Sequence, residues 1–148
     1  MELTRASGIL LHPTSFPGPY GIGDLGEPAY HFIDYLVEAK QTLWQVLPLG
    51  PTGYGDSPYA SFSSFAGNPL LINLDTLVEA GDLDSADVAD LPPFPIDQVD
   101  YGWVINWKMP RLEKAARHFL NRVRGERKAD FEAFCREQAH WLEDYALF

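Results

Sequence analysis

From Gly50 the chain reads Gly-Pro-Thr-Gly-Tyr-Gly-Asp-Ser-Pro-Tyr-Ala-Ser-Phe-Ser-Ser-Phe-Ala-Gly-Asn-Pro, and its four aromatics, Tyr54, Tyr59, Phe62 and Phe65, alternate with Asp56, Ser57, Ser61, Ser63, Ser64 and Asn68. That mixture suits a sugar. The C–H faces of a pyranose lie against an aromatic ring, and short hydroxyl, amide and carboxylate groups satisfy its hydroxyls. The same residues also build turns: glycine and proline bend the chain, Asp56 before Ser57-Pro58 suits an Asx-turn, and Phe62 and Phe65 suit packing inside the loop. Composition leaves both readings open. A phosphate cradle is disfavoured, because no Lys follows Gly53 and Gly55 as the G-x-x-x-x-G-K-[ST] pattern requires and the segment is acidic.

Other residues that could do chemistry are few. His12, before Pro13, could reach a ligand or simply bond loop backbone. Asp24 and Asp56 are the only carboxylates in the segments His12–Gly26 and Leu49–Pro69, so an acid and base pair drawn from them is conceivable. Asp24, close before a helix, reads better as a cap or turn residue. His31, His118 and His140 are far apart in sequence, Cys135 is the single cysteine, and no Cys or His cluster has zinc-ligand spacing.

The elements around these segments put them at one place. Gly8 to Leu11 is an unbroken apolar run, as expected of a strand buried on both faces. Pro28 opens a helix whose apolar residues Ala29, Phe32, Ile33, Leu36 and Val37 recur at helical spacing up to Lys40. Thr42 to Leu47 reads as a second strand, stopped by Pro48. Two strands joined through such a helix are normally parallel neighbours, so His12–Gly26 and Leu49–Pro69 leave the same, carboxyl, end. Ligands bind at that end in open α/β sheets and in (β/α)₈ barrels.

Farther on, Leu70 to Leu74 is an apolar run of uncertain type, and Asp82 to Pro95, acidic and proline-bearing, reads as loop. An amphipathic helix is expected from Lys108, with Leu112, Ala115, Ala116, Phe119, Leu120 and Val123 on its apolar face, Pro110 in its first turn and Gly125 at its end. A second helix is expected from about Asp130, with Phe131, Phe134, Cys135, Trp141, Leu142 and Tyr145 inward and an uncapped apolar end at Ala146 to Phe148.

The 148 residues carry a net charge of −10 and are 46% apolar, which suits a soluble globular chain of about one domain. No apolar run approaches the roughly 18 to 20 residues of a membrane span. Met1 to Leu11 holds Glu2 and Arg5 and too short an apolar stretch for a secretory signal, so a cytoplasmic location is expected. Residues 1–107 hold 14 acidic groups against Arg5 and Lys40, a field that repels phosphate and argues against nucleic acid. The bases after Lys108 alternate with Glu113, Glu126, Asp130, Glu132 and Glu137, the pattern of a solvated helix face.

Three long stretches carry a resemblance. Gly8-Ile-Leu-Leu-His-Pro-Thr-Ser-Phe-Pro-Gly-Pro-Tyr-Gly-Ile-Gly-Asp-Leu-Gly26, then Trp44-Gln-Val-Leu-Pro-Leu-Gly-Pro-Thr-Gly-Tyr-Gly-Asp-Ser-Pro-Tyr59 and Phe65-Ala-Gly-Asn-Pro69, closely resemble the start of amylomaltases, the 4-α-glucanotransferases of glycoside hydrolase family 77. The likeness continues through Val99-Asp-Tyr-Gly102 and Trp141-Leu-Glu-Asp-Tyr-Ala-Leu-Phe148. It implies an α/β fold, the N-terminal part of a (β/α)₈ barrel: residues 1–75 with about two strands and the sugar-site loops, and residues 76–148 as part of an inserted, mainly helical subdomain. It implies retaining transfer of α-1,4-glucan segments between maltodextrins, without metal or organic cofactor. In such enzymes an Asp nucleophile forms a glycosyl-enzyme, a Glu serves as general acid and base, and a second Asp binds the sugar at the cleaved bond.

By position, those three carboxylates fall after residue 148. The resemblance implies substrate contacts instead: Ser57 and Tyr59 as donor-site residues beside the cleaved bond, Tyr54 and Tyr101 as an outer aromatic platform for a longer glucan, and Asp56 as a loop brace. A stand-alone glucan-binding module and an inactive remnant are the alternatives.

Overall fold

The structure is a computed structural model that describes residues 5–147. The residues before Arg5, part of the segment read as lacking a secretory signal, and Phe148 of the uncapped end lie outside the described residues. No helix among the described residues is long and apolar enough to cross a membrane.

Strand β1 (Gly8–Leu10), helix α1 (Glu27–Glu38) and strand β2 (Leu43–Gln45) form the expected unit, and the strands pair in parallel with Gly8 opposite Leu43 and Leu10 opposite Gln45. A Cβ on Gly8 would run into the Leu43 carbonyl, so this pairing needs glycine there. Pro28 lies in the first turn of α1, and α1 buries Ala29 and Leu36 while Phe32 meets Phe16 and Trp44 with ring centroids 5.4 and 5.3 Å away. The Trp44 indole N–H also donates to the Leu11 carbonyl at 2.8 Å, which ties the end of β1 to β2.

Both strands are shorter than the apolar runs suggest. The ladder is three residues long, and among the described residues the sheet has two strands, so Val46 and Leu47 have no strand to pair with. The expected burial of β1 on both faces is also absent: Leu10 and its neighbour strand's Leu43 are each 56% exposed, because no further layer covers them here.

The second half resolves one open element and departs from expectation at several others. Leu70 to Leu74 resolves into a 3₁₀ turn (Pro69–Leu71) and the start of α2 (Leu74–Glu79), whose Asn73 side chain caps the Thr76 N–H at 2.9 Å. Within the segment read as loop lies α3 (Ser85–Ala89), held by the Asp87 carboxylate accepting from the Asp84 N–H at 3.0 Å. Five residues are too few for a periodic pattern to reveal. Helix α4 (Tyr101–Arg122) starts seven residues before Lys108, capped by Asp100, which places Pro110 in its interior. The helix survives because Val104, Trp107, Lys108 and Leu112 are buried on either side of the proline, and Pro110 with Asn106, whose carbonyl it leaves free, faces water.

Gly125, expected to end that helix, instead opens α5 (Gly125–Glu137) with φ +58°, after α4 has stopped at Arg122. The chain then breaks at Gln138 before α6 (Ala139–Leu147), so the expected single helix is two. Phe131 and Phe134, expected inward, are exposed; Cys135, Trp141, Leu142 and Tyr145 are half-buried. On α4, Ala116 and Leu120 are likewise exposed while Leu112 and Ala115 are buried, as is Val123 just past its end.

The core is centred on α4. Tyr20, Leu74, Leu83, Trp107, Leu112 and Ala115 form one cluster, and Ile22, Leu70 and Val104 a second. Tyr20 stacks on Trp107 at 5.6 Å, and Arg111 lies 3.8 Å over the Trp107 ring while donating to the Asp87 carbonyl.

Lys114 adds a salt bridge to the Asp87 carboxylate at 2.6 and 2.7 Å, joining α3 to α4. That hydrogen bond, with the one from the Asp84 backbone, holds the Asp87 carboxyl below the ordinary value near 3.8. The folded value is the lower one, so this contribution is complete above the ordinary value and is lost as pH falls through the folded one. Amide shifts of Ser85–Ala89 should therefore report loss of the Lys114–Asp87 pair in acid, and Asp87→Asn should abolish that titration. The same acid transition in the Asp87→Asn chain would exclude the pair as its cause.

Candidate functional site

The two loops do leave the same end of the sheet. His12, two residues past the end of β1, caps the 3₁₀ turn Pro13–Ser15 by accepting from the Thr14 N–H at Nδ1 (3.3 Å), which leaves Nε2 as the donor to the Pro48 carbonyl (3.4 Å). Its role is to join the start of one loop to the start of the other, the structural reading of the two open to it.

The second loop is closed at two levels. Asn68 N–H donates to the Leu49 carbonyl at 2.8 Å, and farther out Thr52 and Ser61 form an antiparallel bridge while the Gly53 N–H reaches the Ala60 carbonyl at 2.8 Å. At the tip, Gly55 (φ +72°) and Asp56 (φ +54°) both adopt the left-handed region and reverse the chain within one turn. The Asp56 N–H closes this turn on the Gly53 carbonyl. The tip is closed through its backbone and open in its side chains: Tyr54 is 98% exposed and Tyr59 74%. The Ser57 hydroxyl oxygen accepts from the Tyr59 N–H at 3.3 Å, so Ser57 and Tyr59 are held as one unit. Three of the four expected contact residues thus share one projecting turn. Phe62 and Phe65, read as loop core, are largely exposed as well.

Tyr101 belongs to a different neighbourhood. It is the first residue of α4, packed against Ile22, Leu70 and Val104, and it lines a cleft of about 920 Å³ between Thr14–Gly23 and Leu91–Val99. Tyr54, Ser57 and Tyr59 do not line that cleft.

Behind the loops stands a buried ionic node that the sequence reading missed. Lys108 is fully buried; its ammonium donates to Asp24 Oδ2 at 3.2 Å and to the Leu70 carbonyl at 2.8 Å. Asp24 Oδ1 accepts from the Gly26 N–H and from the Asn73 amide, both at 3.0 Å. One pair of charges therefore links the end of the first loop, the end of the second, the starts of α1 and α2, and the middle of α4. Asp24, read as a turn or cap residue, does brace the Gly26 turn, and this also removes it from any acid and base pair. Burial pushes the Lys108 ammonium below its ordinary pKa, with Asp24 opposing; burial and the hydrogen bond to Asp75 push the Tyr20 phenol up. In α4 Lys108 shares the 104, 108, 112 face with the buried Val104 and Leu112, a face hidden from a helix read as starting at Lys108.

Comparison with known proteins identifies the family. The model of glycoside hydrolase family 77, described as 4-alpha-glucanotransferase, matches residues 11–148, and the chain belongs to that family. It is 56% identical over 148 residues to a 4-alpha-glucanotransferase of Thermus thermophilus, covering 100% of this chain and 29% of the relative. A chloroplastic/amyloplastic 4-alpha-glucanotransferase of Solanum tuberosum is 47% identical over 150 residues, covering 97% and 26%. Among solved structures, an amylomaltase from Streptococcus agalactiae in complex with acarbose superposes with a TM-score of 0.87 at 43% identity, covering 97% of this chain and 28% of that one. The chain thus spans under a third of the length of these relatives and corresponds to their N-terminal part.

Proposed function

We propose that this chain is the N-terminal portion of a cytoplasmic 4-α-glucanotransferase that moves α-1,4-glucan segments between maltodextrins by a retaining double displacement. Residues 1–75 supply the first strands and sugar loops of a (β/α)₈ barrel, and residues 76–148 belong to an inserted helical subdomain. The observation that carries this is the hydrogen-bonded turn that exposes Tyr54 and Tyr59, with Ser57 between them, in the loop leaving the carboxyl end of two parallel strands, in a chain 56% identical to a 4-alpha-glucanotransferase. Ser57 and Tyr59 meet the donor sugar beside the cleaved bond, while Tyr54 and Tyr101 carry a longer glucan across the rim. Covalent chemistry belongs to carboxylates supplied beyond this portion, with a glucan 4-hydroxyl taking the place of water.

The test is disproportionation of maltotriose and of long maltodextrins by the full-length protein. Tyr59→Ala should lower turnover on the order of 10–100-fold on both donors, because a platform beside the reacting sugar acts on the transition state. Tyr54→Ala should spare maltotriose and weaken the response to long glucans. Parental kinetics in both variants would make the turn a purely structural one.

A further inference from the structure

The segment from Trp141 onward takes no part in that reading, yet it meets the sugar loop directly. Phe65, on the loop limb that returns from Ser61 to Asn68, lies nearly parallel to Trp141, with ring centroids 5.8 Å apart and planes at 18°, and edge-on to His140 at 5.6 Å. Trp141 is held in turn: its indole N–H donates to Gln138 Oε1 at 2.8 Å, and Tyr145 packs against its ring at 5.9 Å. Phe65 is held at its backbone, where its N–H donates to the Ser63 hydroxyl oxygen at 3.1 Å; Ser63 also receives the Ala66 N–H at 3.0 Å.

These contacts have a mechanical consequence. The loop is stiff within itself, because its base closes through Leu49 and Asn68 and its tip through Thr52 and Ser61. A stiff loop moves as a body about its two stems, so whatever fixes Phe65 also fixes Tyr54, Ser57 and Tyr59. Phe65 is 64% exposed, so the stack contributes little through burial. The break at Gln138 fits the same purpose: it starts a separate helix, α6, and its side chain orients the indole that meets the loop.

We propose that Phe65 and Trp141 form a brace through which α6 sets the position of the glucan-binding turn, making Trp141 a positioning residue for the donor sugar. This rests on the reading of that turn as glucan-binding. The brace touches no substrate; it acts through Tyr59 and its neighbours.

The experiment measures kcat and KM of the full-length protein on maltotriose and on a long maltodextrin, per folded molecule, with circular dichroism and melting temperature recorded for each variant. Trp141→Ala and Phe65→Ala should each lower kcat/KM roughly tenfold on both donors, because a shifted loop misplaces the reacting sugar. Trp141→Phe, which keeps a stacking ring, should recover most of the loss, and Phe65→Leu gives a milder second route if an alanine variant folds poorly. In a Tyr54→Ala/Tyr59→Ala background, Trp141→Ala should add little, since the residues it positions are gone. If the tyrosine variants are impaired while Trp141→Ala matches the parent, the brace is overturned and the glucan reading stands. Loss that merely tracks the unfolded fraction, or loss that persists undiminished in the double-tyrosine background, also overturns it. If the tyrosine variants themselves match the parent, the glucan reading fails and the brace fails with it.

Discussion

Replacing Lys108 by Met in the full-length protein is expected to destabilise the N-terminal region by about 3–5 kcal/mol, the range for breaking a buried ion pair from one side. The cost arises from what is left behind. Asp24, only 6% exposed, would keep its charge or take up a proton without its partner, and the Leu70 carbonyl would lose its donor. Methionine matches the lysine stem in length, so the packing between Val104 and Leu112 changes little and the loss is electrostatic. Denaturant unfolding followed by tryptophan emission reads it, since Trp107 lies one residue away and stacks on Tyr20. Asp24→Asn combined with Lys108→Met should recover part of the loss by removing the orphaned charge while keeping an acceptor for Gly26 and Asn73. A loss below about 1 kcal/mol in the single variant would mean that water reaches the node and that it does not hold the loops.

The same node shows where sequence reading reaches its limit. The β1, α1, β2 unit was legible because each part has its own period: an apolar run, then Ala29, Phe32, Ile33, Leu36 and Val37 at helical spacing, then a second run before Pro48. Both loops were legible because glycine, proline and serine break every period at once. Lys108 was not, since a lysine in a helix is ordinarily read as solvated and only its partners, 84 residues away at Asp24 and 38 away at Leu70, make burial tolerable. The start of α4 was obscured by Gly102 and Pro110, two weak helix formers that tertiary packing overrides. At the candidate site, Tyr54, Ser57 and Tyr59 could be named from residue type and family likeness. Their exposure depends on consecutive left-handed residues at Gly55 and Asp56, and Gly-Asp is only a weak hint of that turn. The placement of Tyr101 in a cleft wall away from that turn depends on contacts with Ile22 and Leu70 that no local pattern encodes.

The 148-residue chain produced alone is expected to release no glucose from maltotriose above a blank. Retaining transfer needs a nucleophile and an acid and base about 5 to 5.5 Å apart. Of the two carboxylates in the loops that leave the strand ends, Asp24 is buried and already bonded to Lys108, Asn73 and the Gly26 N–H, and Asp56 stands at the tip of a separate loop. The isolated chain should also be uneven in stability. Its sheet is a three-residue, two-stranded ladder with Leu10, Leu43, Ile33 and Val37 open to water, and such a pair is marginal unless another layer covers it. The clusters around α4, with Leu74 and Val104 fully buried, have no such deficit. Hydrogen exchange should therefore find Gly8–Leu10 and Leu43–Gln45 nearly unprotected while the middle of α4 exchanges slowly, and a hydrophobic dye should bind the open β1, α1, β2 face. Uniform protection across strands and α4, with one sharp calorimetric transition, would show that the portion is complete as a folding unit and would favour a stand-alone glucan-binding module. Glucose release that survives rigorous purification and disappears on Asp56→Asn would show that the chain carries chemistry of its own.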